Sequence, residues 1–183
     1  MIDLSLRRCA WGMGDALMAK YHDEEWGRPL HDDGKIFEFL VLESMQAGLS
    51  WRTILYKRDN FRRAFAGFDP RLVAGFGEAD VERLLGDASI IRNRAKILAA
   101  INNAGRFLET QPEFGTFDAY IWRFTGGAVL RSHDPSRATS PESDALAKDL
   151  KQRGYKFLGS TVCYAHMQAM GMVNDHLPGC FLA

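Results

Sequence analysis

Apolar side chains recur along this chain mostly at intervals of three or four residues, the spacing that gives an α-helix one apolar face. The stretch that follows Ser50 shows this spacing clearly, with Ile54, Leu55, Phe61, Ala64 and Phe65. No run alternates convincingly between apolar and polar residues, as a half-buried strand would. The pattern therefore predicts an all-α fold.

Residues that start or stop helices mark where the predicted helices lie. Those suited to the position before a helix are Asp32 or Asp33, Ser50, Asp69 and Ser140. Pro70 and Pro141 suit the first helical position, whereas Gly48 and Gly154 suit the position after the last. The predicted helical segments are 35–47, a segment from 50, a short one from 70, 80–85, 89–108, 140–153 and 161–172. Residues 111–141 are predicted to form one helix and a long loop.

Composition limits the class of protein. The chain has 183 residues, 46% of them hydrophobic, with 23 basic and 23 acidic side chains. These numbers fit a single unit over 1–183, built of two small helical lobes that share a core. No apolar stretch suits a membrane span or a secretory signal, so we expect a cytoplasmic protein without a membrane partner. Zero net charge argues against binding by bulk electrostatics, and any basic surface must be local.

Two cysteines and two histidines near the ends of the chain form a candidate metal site. Cys9 and His22 are separated by twelve residues, and His176 and Cys180 form a His-x3-Cys pair. Two sulfur and two imidazole donors are a set typical of structural zinc, although this spacing is not that of a known zinc finger. If all four bind, no position remains for water or substrate, and the ion staples the two ends.

Two other interpretations of the cysteines and histidines stay open. Each of the four residues taken alone is more simply a packing cysteine, or a surface or capping histidine. Cys163 and His166 lie one helical turn apart and could also ligate a metal. Because their neighbours suggest a core helix, we interpret Cys163 as a packing residue and leave the role of His166 undecided.

Glu43 is a carboxylate on the apolar face of a predicted helix. Its neighbours at three, four and seven residues are mostly apolar, namely Ile36, Phe39, Leu40 and Ala47. A carboxylate in such a place is costly unless it meets a charge or hydrogen-bond donors. The general expectation is a structural arginine partner, and the alternative is a group that waits for a ligand.

Aromatic residues flank this helix and favour the second alternative. Trp11, Tyr21 and Trp26 precede it, in segments rich in turn residues, and Trp51 follows it. Aromatic faces together with one anion can hold a flat cationic ring by stacking and cation–π attraction. The simpler interpretation, that these are core aromatics, applies to at least some of them.

Six segments together resemble one known family. They are YHDEEWG at 21–27, LE at 42–43, QAGLSW at 46–51, IIRNRAKI at 90–97, SDAL at 143–146 and VNDH at 173–176. In this order they resemble the 3-methyladenine DNA glycosylase I family, over nearly the whole chain from Cys9 to Cys180. Several long motifs in one order are far more specific than a single short pattern.

The resemblance implies a helix-hairpin-helix glycosylase fold, in which a damaged base is flipped out of duplex DNA into a pocket between the lobes. It implies one structural Zn²⁺ per chain, held by Cys9, His22, His176 and Cys180. It also implies Glu43 as the pocket acid and Tyr21, Trp51, Trp11 and Trp26 as the substrate-binding aromatic residues. A second pocket tyrosine of the family aligns with Met18, which stacks less well and cannot donate a hydroxyl hydrogen bond. His166 also stands where the family pattern has an aromatic residue.

For the partner, the resemblance implies double-stranded alkylated DNA, and for a small cytosolic repair enzyme we expect a monomer. Gly48 and Leu49 would lie on the loop that faces the gap left by the flipped nucleotide. The segment from Ser89 to Lys96 would begin the second helix of the hairpin, where Arg92, Arg94 or Lys96 could meet phosphate. The implied activity is hydrolysis of the glycosidic bond of 3-methyladenine, without lyase activity.

Two competing functions remain at this point. The same zinc-clasped helical fold could bind modified DNA without cutting it, which Met18 leaves open and Glu43 with Trp51 disfavours. A metal-dependent hydrolase is the other, and it requires an open coordination position.

Overall fold

The computed structural model describes residues 6–132, 134 and 137–183. Its described part is mostly helical, as predicted, with short 3-10 turns at Ala10–Gly12, Ala66–Phe68 and Arg123–Thr125. The α-helices are α1 (Ala16–Glu24), α2 (Asp33–Gln46), α3 (Trp51–Ala64), α4 (Pro70–Ala74), α5 (Glu78–Gly86), α6 (Arg94–Phe114), α7 (Phe117–Trp122), α8 (Pro141–Gln152) and α9 (Ser160–Ala169). The helix positions predicted from spacing and caps are therefore largely confirmed.

The predicted caps start four of these helices. Asp32 accepts a hydrogen bond from the Lys35 N–H at 2.9 Å, and Ser50 accepts one from the Thr53 N–H at 3.2 Å. The side chains of Asp69 and Ser140 cap α4 and α8 in the same way. After α2, Gly48 has a φ of +79°, which favours glycine and turns the chain toward α3. These local interactions fix the ends of α2 and α3, which carry Glu43 and Trp51.

The predicted helix over 89–108 is wrong at both ends. The Asp87 carboxylate accepts hydrogen bonds from the Ser89 N–H and hydroxyl, at 2.9 and 2.6 Å, which holds the chain in a turn. Asn93 caps the helix by accepting from the Lys96 N–H at 3.1 Å, so α6 begins at Arg94. The helix then continues to Phe114, with Pro112 in its last turn.

Two features were not predicted from the pattern. Helix α1 occupies a segment interpreted as rich in turns, and Asp15 caps it by accepting from the N–H groups of Leu17 and Met18. A pair of two-residue parallel strands, β1 (Leu130–Arg131) and β2 (Val173–Asn174), corrects the purely all-α prediction. Strands this short leave no detectable alternation in a sequence.

Helix α2 lies at the centre of the core. It packs against α3, α6, α7 and α9, and ten consecutive residues from Ile36 to Met45 are buried on it. A second, smaller cluster of buried side chains lies beside it and comprises Met18, Tyr21, Phe39, Leu55 and Ala169. Apolar burial on all sides explains why α2 is almost continuously hydrophobic.

The segment after α1 crosses closely over the end of α9. The N–H groups of Gly27 and Leu30 donate to the carbonyls of Gln168 and Met170, at 2.9 and 3.0 Å. At the crossing, a Cβ on Gly171 would lie 2.1 Å from the carbonyl carbon of Arg28, so only glycine fits. This contact fastens the segment that carries Trp26 to α9. None of the described helices is long and apolar enough to cross a membrane.

Candidate functional site

A cavity of about 270 Å³ lies where α1, α2, α3 and α9 meet. Its wall consists of Trp11, Met18, Tyr21, Trp26, Glu43, Gln46, Trp51, Ala165 and Gln168. The structure thus brings together all six residues that the sequence assigned to one pocket. The sequence did not indicate Ala165 and Gln168, which are three positions apart on α9 and carry no distinguishing motif of their own.

Glu43 lies in this wall without a counter-charge. Its side chain is only 4% exposed, and within residues 6–132, 134 and 137–183 it makes no hydrogen bond or ion pair. Burial raises the pKa of the Glu43 carboxyl to about 8. A group in this state gains strongly from any cation or donor that enters the cavity.

Arg58 is the buried arginine that could serve as a structural partner for Glu43, but it binds other carboxylates. Arg58 donates to Glu38 at 2.5 Å and to Glu25 at 2.7 Å, and its guanidinium lies 5.0 Å from the centre of the Phe39 ring. Two carboxylates raise the pKa of Arg58 against the opposing effect of its burial. Since neither Arg58 nor another arginine of the described residues pairs with Glu43, the structural alternative for Glu43 is contradicted.

Aromatic rings form the rest of the wall. The rings of Tyr21 and Trp51 have centroids 5.1 Å apart, and those of Trp11 and Trp26 are 4.9 Å apart and nearly perpendicular. Burial and the charge of Glu43 raise the pKa of Tyr21, so its hydroxyl stays protonated. The buried Trp51 Nε1 has no hydrogen-bond partner among the described residues. The cavity therefore offers flat apolar faces, the Tyr21 hydroxyl and one carboxyl group.

The four predicted metal ligands meet at one point. The donor atoms of Cys9, His22, His176 and Cys180 all lie within 4.8 Å of one another, and all four residues are buried. The Cys180 Sγ is 3.5 Å from both His22 Nε2 and His176 Nδ1, and the Cys9 Sγ is 3.7 Å from His176 Nδ1. A tetrahedron with bonds of about 2.0 to 2.3 Å has edges of about 3.5 Å, so this cluster could hold a metal ion.

Hydrogen bonds at the ring nitrogens that face away from the cluster orient both histidines for metal binding. His22 Nδ1 lies 2.8 Å from the Asp23 carboxylate, which Arg8 holds through three further contacts of 2.7 to 3.0 Å. His176 Nε2 lies 3.1 Å from the carbonyl of Trp26 and donates to it. With those N–H groups committed, the other nitrogen of each ring presents its lone pair to the cluster. Burial lowers the pKa of both histidines, that of His176 to about 4, which keeps them neutral.

Cys163 and His166, the other two residues considered as metal ligands, have other partners. The Cys163 thiol lies 3.6 Å from the Leu158 carbonyl, and burial raises its pKa to about 12. His166 Nε2 donates to the Ile36 carbonyl at 3.1 Å, and burial lowers the pKa of this ring to about 4. Both side chains pack between α9 and the core, which agrees with the packing role expected for Cys163.

The loop between α2 and α3 joins two residues of the cavity wall, Gln46 and Trp51. Gly48 is exposed there, and Leu49 is 40% exposed. Buried Lys96 holds this loop, because its Nζ donates to the carbonyls of Met45 and Ala47 at 2.9 and 2.6 Å. The ammonium of Lys96 is thus committed to the protein, which corrects its interpretation as a phosphate contact.

The two predicted arginines of this region differ in their surroundings. Arg94 forms ion pairs with Glu78 and Glu82, so its charge is already balanced. Arg92 is exposed, and in the part of the chain that the structure describes no carboxylate pairs with it. Of the three cations proposed for phosphate, Arg92 alone has an uncommitted side chain.

Comparisons with known proteins agree on one family. A family model described as methyladenine glycosylase matches residues 11–183. The chain is 48% identical over 181 residues to DNA-3-methyladenine glycosylase 1 of Escherichia coli (strain K12), covering 96% of each chain. It is 41% identical over 177 residues to DNA-3-methyladenine glycosylase of Haemophilus influenzae, covering 94% of this chain and 96% of the relative.

Solved structures give the same result. The fold is similar to a crystal structure of 3-methyladenine DNA glycosylase I, with a TM-score of 0.92 and 48% identity, covering 96% of this chain and 98% of the other. It is also similar to the Staphylococcus aureus enzyme in a structure that describes 3-methyladenine recognition, with a TM-score of 0.91 and 34% identity. That match covers 97% of this chain and 96% of the other.

Proposed function

The chain belongs to the methyladenine glycosylase family, and we infer from this membership that it is a DNA-3-methyladenine glycosylase. It hydrolyses the N-glycosidic bond of 3-methyladenine in alkylated DNA, releases the free base and leaves an abasic site. The observation that carries this function is the unpaired, buried Glu43 in an aromatic cavity of this chain.

The charge of the damaged base explains what Glu43 does. In DNA, 3-methyladenine carries a formal positive charge, so the glycosidic bond is already weakened and the base leaves as a neutral molecule. A cationic ring in the cavity supplies the counter-charge that Glu43 lacks, which favours the carboxylate and lowers its pKa. Neutral adenine brings no such charge and must also be unpaired from the duplex, so it is rejected.

The aromatic wall holds the flipped base in place. Trp51 stacks on the ring, and Tyr21 and the neighbouring tryptophans enclose it. Glu43 accepts hydrogen bonds from the edge of the purine. The described wall of the cavity contains no lysine that could attack the sugar, which supports a hydrolase without lyase activity.

The exposed loop between α2 and α3 has a role in base flipping. We propose that Leu49 enters the gap in the duplex, with Gly48 allowing the sharp turn beside it. Arg92 meets a phosphate of the same duplex. The partner is double-stranded alkylated DNA, and because one chain supplies the whole cavity a monomer suffices. We keep the cytoplasm as the proposed compartment.

Two helix pairs fit the proposed helix-hairpin-helix element. The segment expected from the sequence lies between α5 and α6, where Asn93 caps the second helix. Helices α8 and α9 form a second pair, joined by residues 153–159 and packed against each other. The first N–H groups of α9 lack a side-chain cap, because Gly159 precedes it. Such free N–H groups can bind a phosphate, so we extend the proposal to α9.

The proposed metal is one structural Zn²⁺, held by Cys9, His22, His176 and Cys180. Buried N and S donors at tetrahedral separations are the set that zinc prefers, and four protein ligands close its coordination shell. The ion links the segment before α1 to the segment after α9 and supplies stability, while the base chemistry takes place in the neighbouring cavity.

The test of the function is a free-base release assay on methylated duplex DNA. The enzyme is expected to release 3-methyladenine, and Glu43→Gln to lower the rate of release about 100-fold, because the anion that faces the cationic base is lost. The matched control is Glu109→Gln, at an exposed position of α6, and this variant keeps full activity. Binding of methylated DNA without base release would instead support a non-catalytic module.

A further inference from the structure

Gln168 lies in the wall of the cavity with its amide anchored from behind. Its Nε2 donates to the Asp175 Oδ2 at 2.8 Å, and the Tyr164 hydroxyl donates to the same oxygen at 2.6 Å. Asp175 is 3% exposed, just before the candidate metal ligand His176. The side chain of Gln168 is therefore held by a buried carboxylate outside the cavity.

This anchor determines which end of the amide faces the cavity. Asp175 Oδ2 is an acceptor that already receives the Tyr164 hydroxyl, so the NH₂ group of Gln168 is the end of the amide that points toward Asp175. The carbonyl oxygen Oε1 is the atom of the amide that does not bind Asp175. It has no partner among the described residues and is not one of their fully buried unpaired atoms, so it keeps some exposure on a side chain that lines the cavity.

The same polarity recurs at the other amide of the wall. Gln46 Nε2 donates to the Leu49 carbonyl at 2.7 Å, which again leaves the amide oxygen without a partner in the described part of the chain. Together with Glu43, whose carboxyl group keeps an accepting oxygen in either protonation state, the wall thus holds three side chains with a free acceptor atom. A ligand with two hydrogens on one nitrogen matches such a wall.

We propose that Gln168 is a specificity-determining residue, whose Oε1 accepts one hydrogen of the exocyclic amino group at C6 of the purine while Glu43 accepts the other. Asp175 is a positioning residue that fixes the orientation of the amide. This inference rests on the proposed function and defines its substrate class as N3-alkylated purines that carry a 6-amino group. A purine without that group leaves the fixed acceptor unpaired, which costs binding energy.

The probes for the test are two free bases. 3-Methyladenine and 3-methylpurine share the ring and the N3-methyl group, and only the first has the 6-amino group. Their dissociation constants are measured by quenching of tryptophan fluorescence, since three tryptophans line the cavity. The parent enzyme, Gln168→Met, Asp175→Asn and the control Gln152→Met on the exposed end of α8 are compared, with thermal unfolding to confirm that each is folded.

The quantity that decides is the ratio of the two dissociation constants. In Gln168→Met the preference for 3-methyladenine is expected to fall about tenfold, because only the ligand with the amino group loses a hydrogen bond. In Asp175→Asn the amide is no longer fixed and the preference falls in the same direction, whereas Gln152→Met keeps the parent ratio. Equal weakening of both ligands, or an unchanged ratio, would overturn the inference and leave a structural role. Failure of the parent enzyme to release 3-methyladenine from methylated duplex DNA would instead refute the proposed function.

Discussion

The His176 imidazole donates through Nε2 to the carbonyl of Trp26, at 3.1 Å. His176 therefore belongs to two sites, since Nδ1 of the same ring faces the sulfur atoms of the candidate metal cluster. The rings of His176 and Trp26 also pack edge to face, 4.7 Å apart. The metal cluster and the aromatic wall are thus in direct contact.

This contact predicts that metal removal weakens base binding as well as stability. A zinc chelator is expected to lower the melting temperature by about 10 °C or more, because the four buried side chains lose the metal ion that they share. Over the same chelator concentrations the affinity for free 3-methyladenine should fall, since Trp26 loses its anchor. Circular dichroism and fluorescence titration measure the two effects. His31→Ala, which removes an exposed ring bonded to Asp118, should leave both unchanged. A melting temperature insensitive to chelation would speak against the metal.

The pKa of Glu43 predicts a specific dependence of stability on pH. Burial raises the pKa of this carboxyl from 4.5 to about 8 in the folded protein, so between those values the folded state holds a proton that the unfolded state has released. The free energy of unfolding therefore falls as pH rises through this window, by about 1 kcal/mol per pH unit from this group. Glu43→Gln has no proton to lose and should be more stable than the parent at pH 8.

Urea unfolding of both proteins from pH 4 to pH 9 measures this difference. The two stability curves should diverge as the pH rises and nearly coincide at pH 4, where the carboxyl is protonated in both states. Glu109→Gln, on the exposed face of α6, should follow the parent curve. Parallel curves for the parent and Glu43→Gln would show that the carboxyl is already balanced in the folded protein.

Arg92 and Lys96 are predicted to differ in their effect on DNA binding. Arg92→Ala should reduce the salt dependence of DNA affinity by about one counterion, because an exposed charge that meets phosphate is removed. Lys96→Met should leave that slope unchanged and instead destabilise the protein, since two carbonyls at the end of α2 lose their donor. Fluorescence anisotropy at several salt concentrations and thermal unfolding separate the two effects. An equal loss of slope in both variants would contradict this assignment.

The close crossing at Gly171 predicts a large loss of stability on substitution. Gly171→Ala should cost about 3 kcal/mol or more, because the new Cβ would overlap the backbone of Arg28. Gly126 is a matched control, with a φ of +64° and no atom within 4 Å of its Cβ position. Gly126→Ala should cost only about 1 kcal/mol, from backbone strain. Chemical denaturation gives both values, and similar losses would show that strain outweighs the clash.

Much of the site could be predicted from the sequence, and the reasons differ by residue. Glu43 stood out because a carboxylate on an apolar helix face is costly, and the aromatic residues around it completed one cationic-ring site. The four candidate metal ligands were recognisable by type and by the family resemblance. All of these signals lie in the identity of the residue itself.

The unpredicted parts depend on contacts between distant segments. Lys96 resembles any surface lysine in sequence, yet its ammonium binds carbonyls about fifty positions earlier. Gln168 acquires its orientation from Asp175, through a hydrogen bond that no periodicity reveals. The start of α6 was misplaced because Asp87 and Asn93 outcompete helical spacing through local side-chain hydrogen bonds.

The distance along the chain between His22 and Cys180, 158 positions, has a consequence for biosynthesis. A ribosome must add 158 further residues after His22 before Cys180 can approach it, and the Trp26 carbonyl must wait in the same way for His176. The four-residue cluster and the contact that holds Trp26 in the cavity wall therefore form only after the segment that follows α9 has been synthesised.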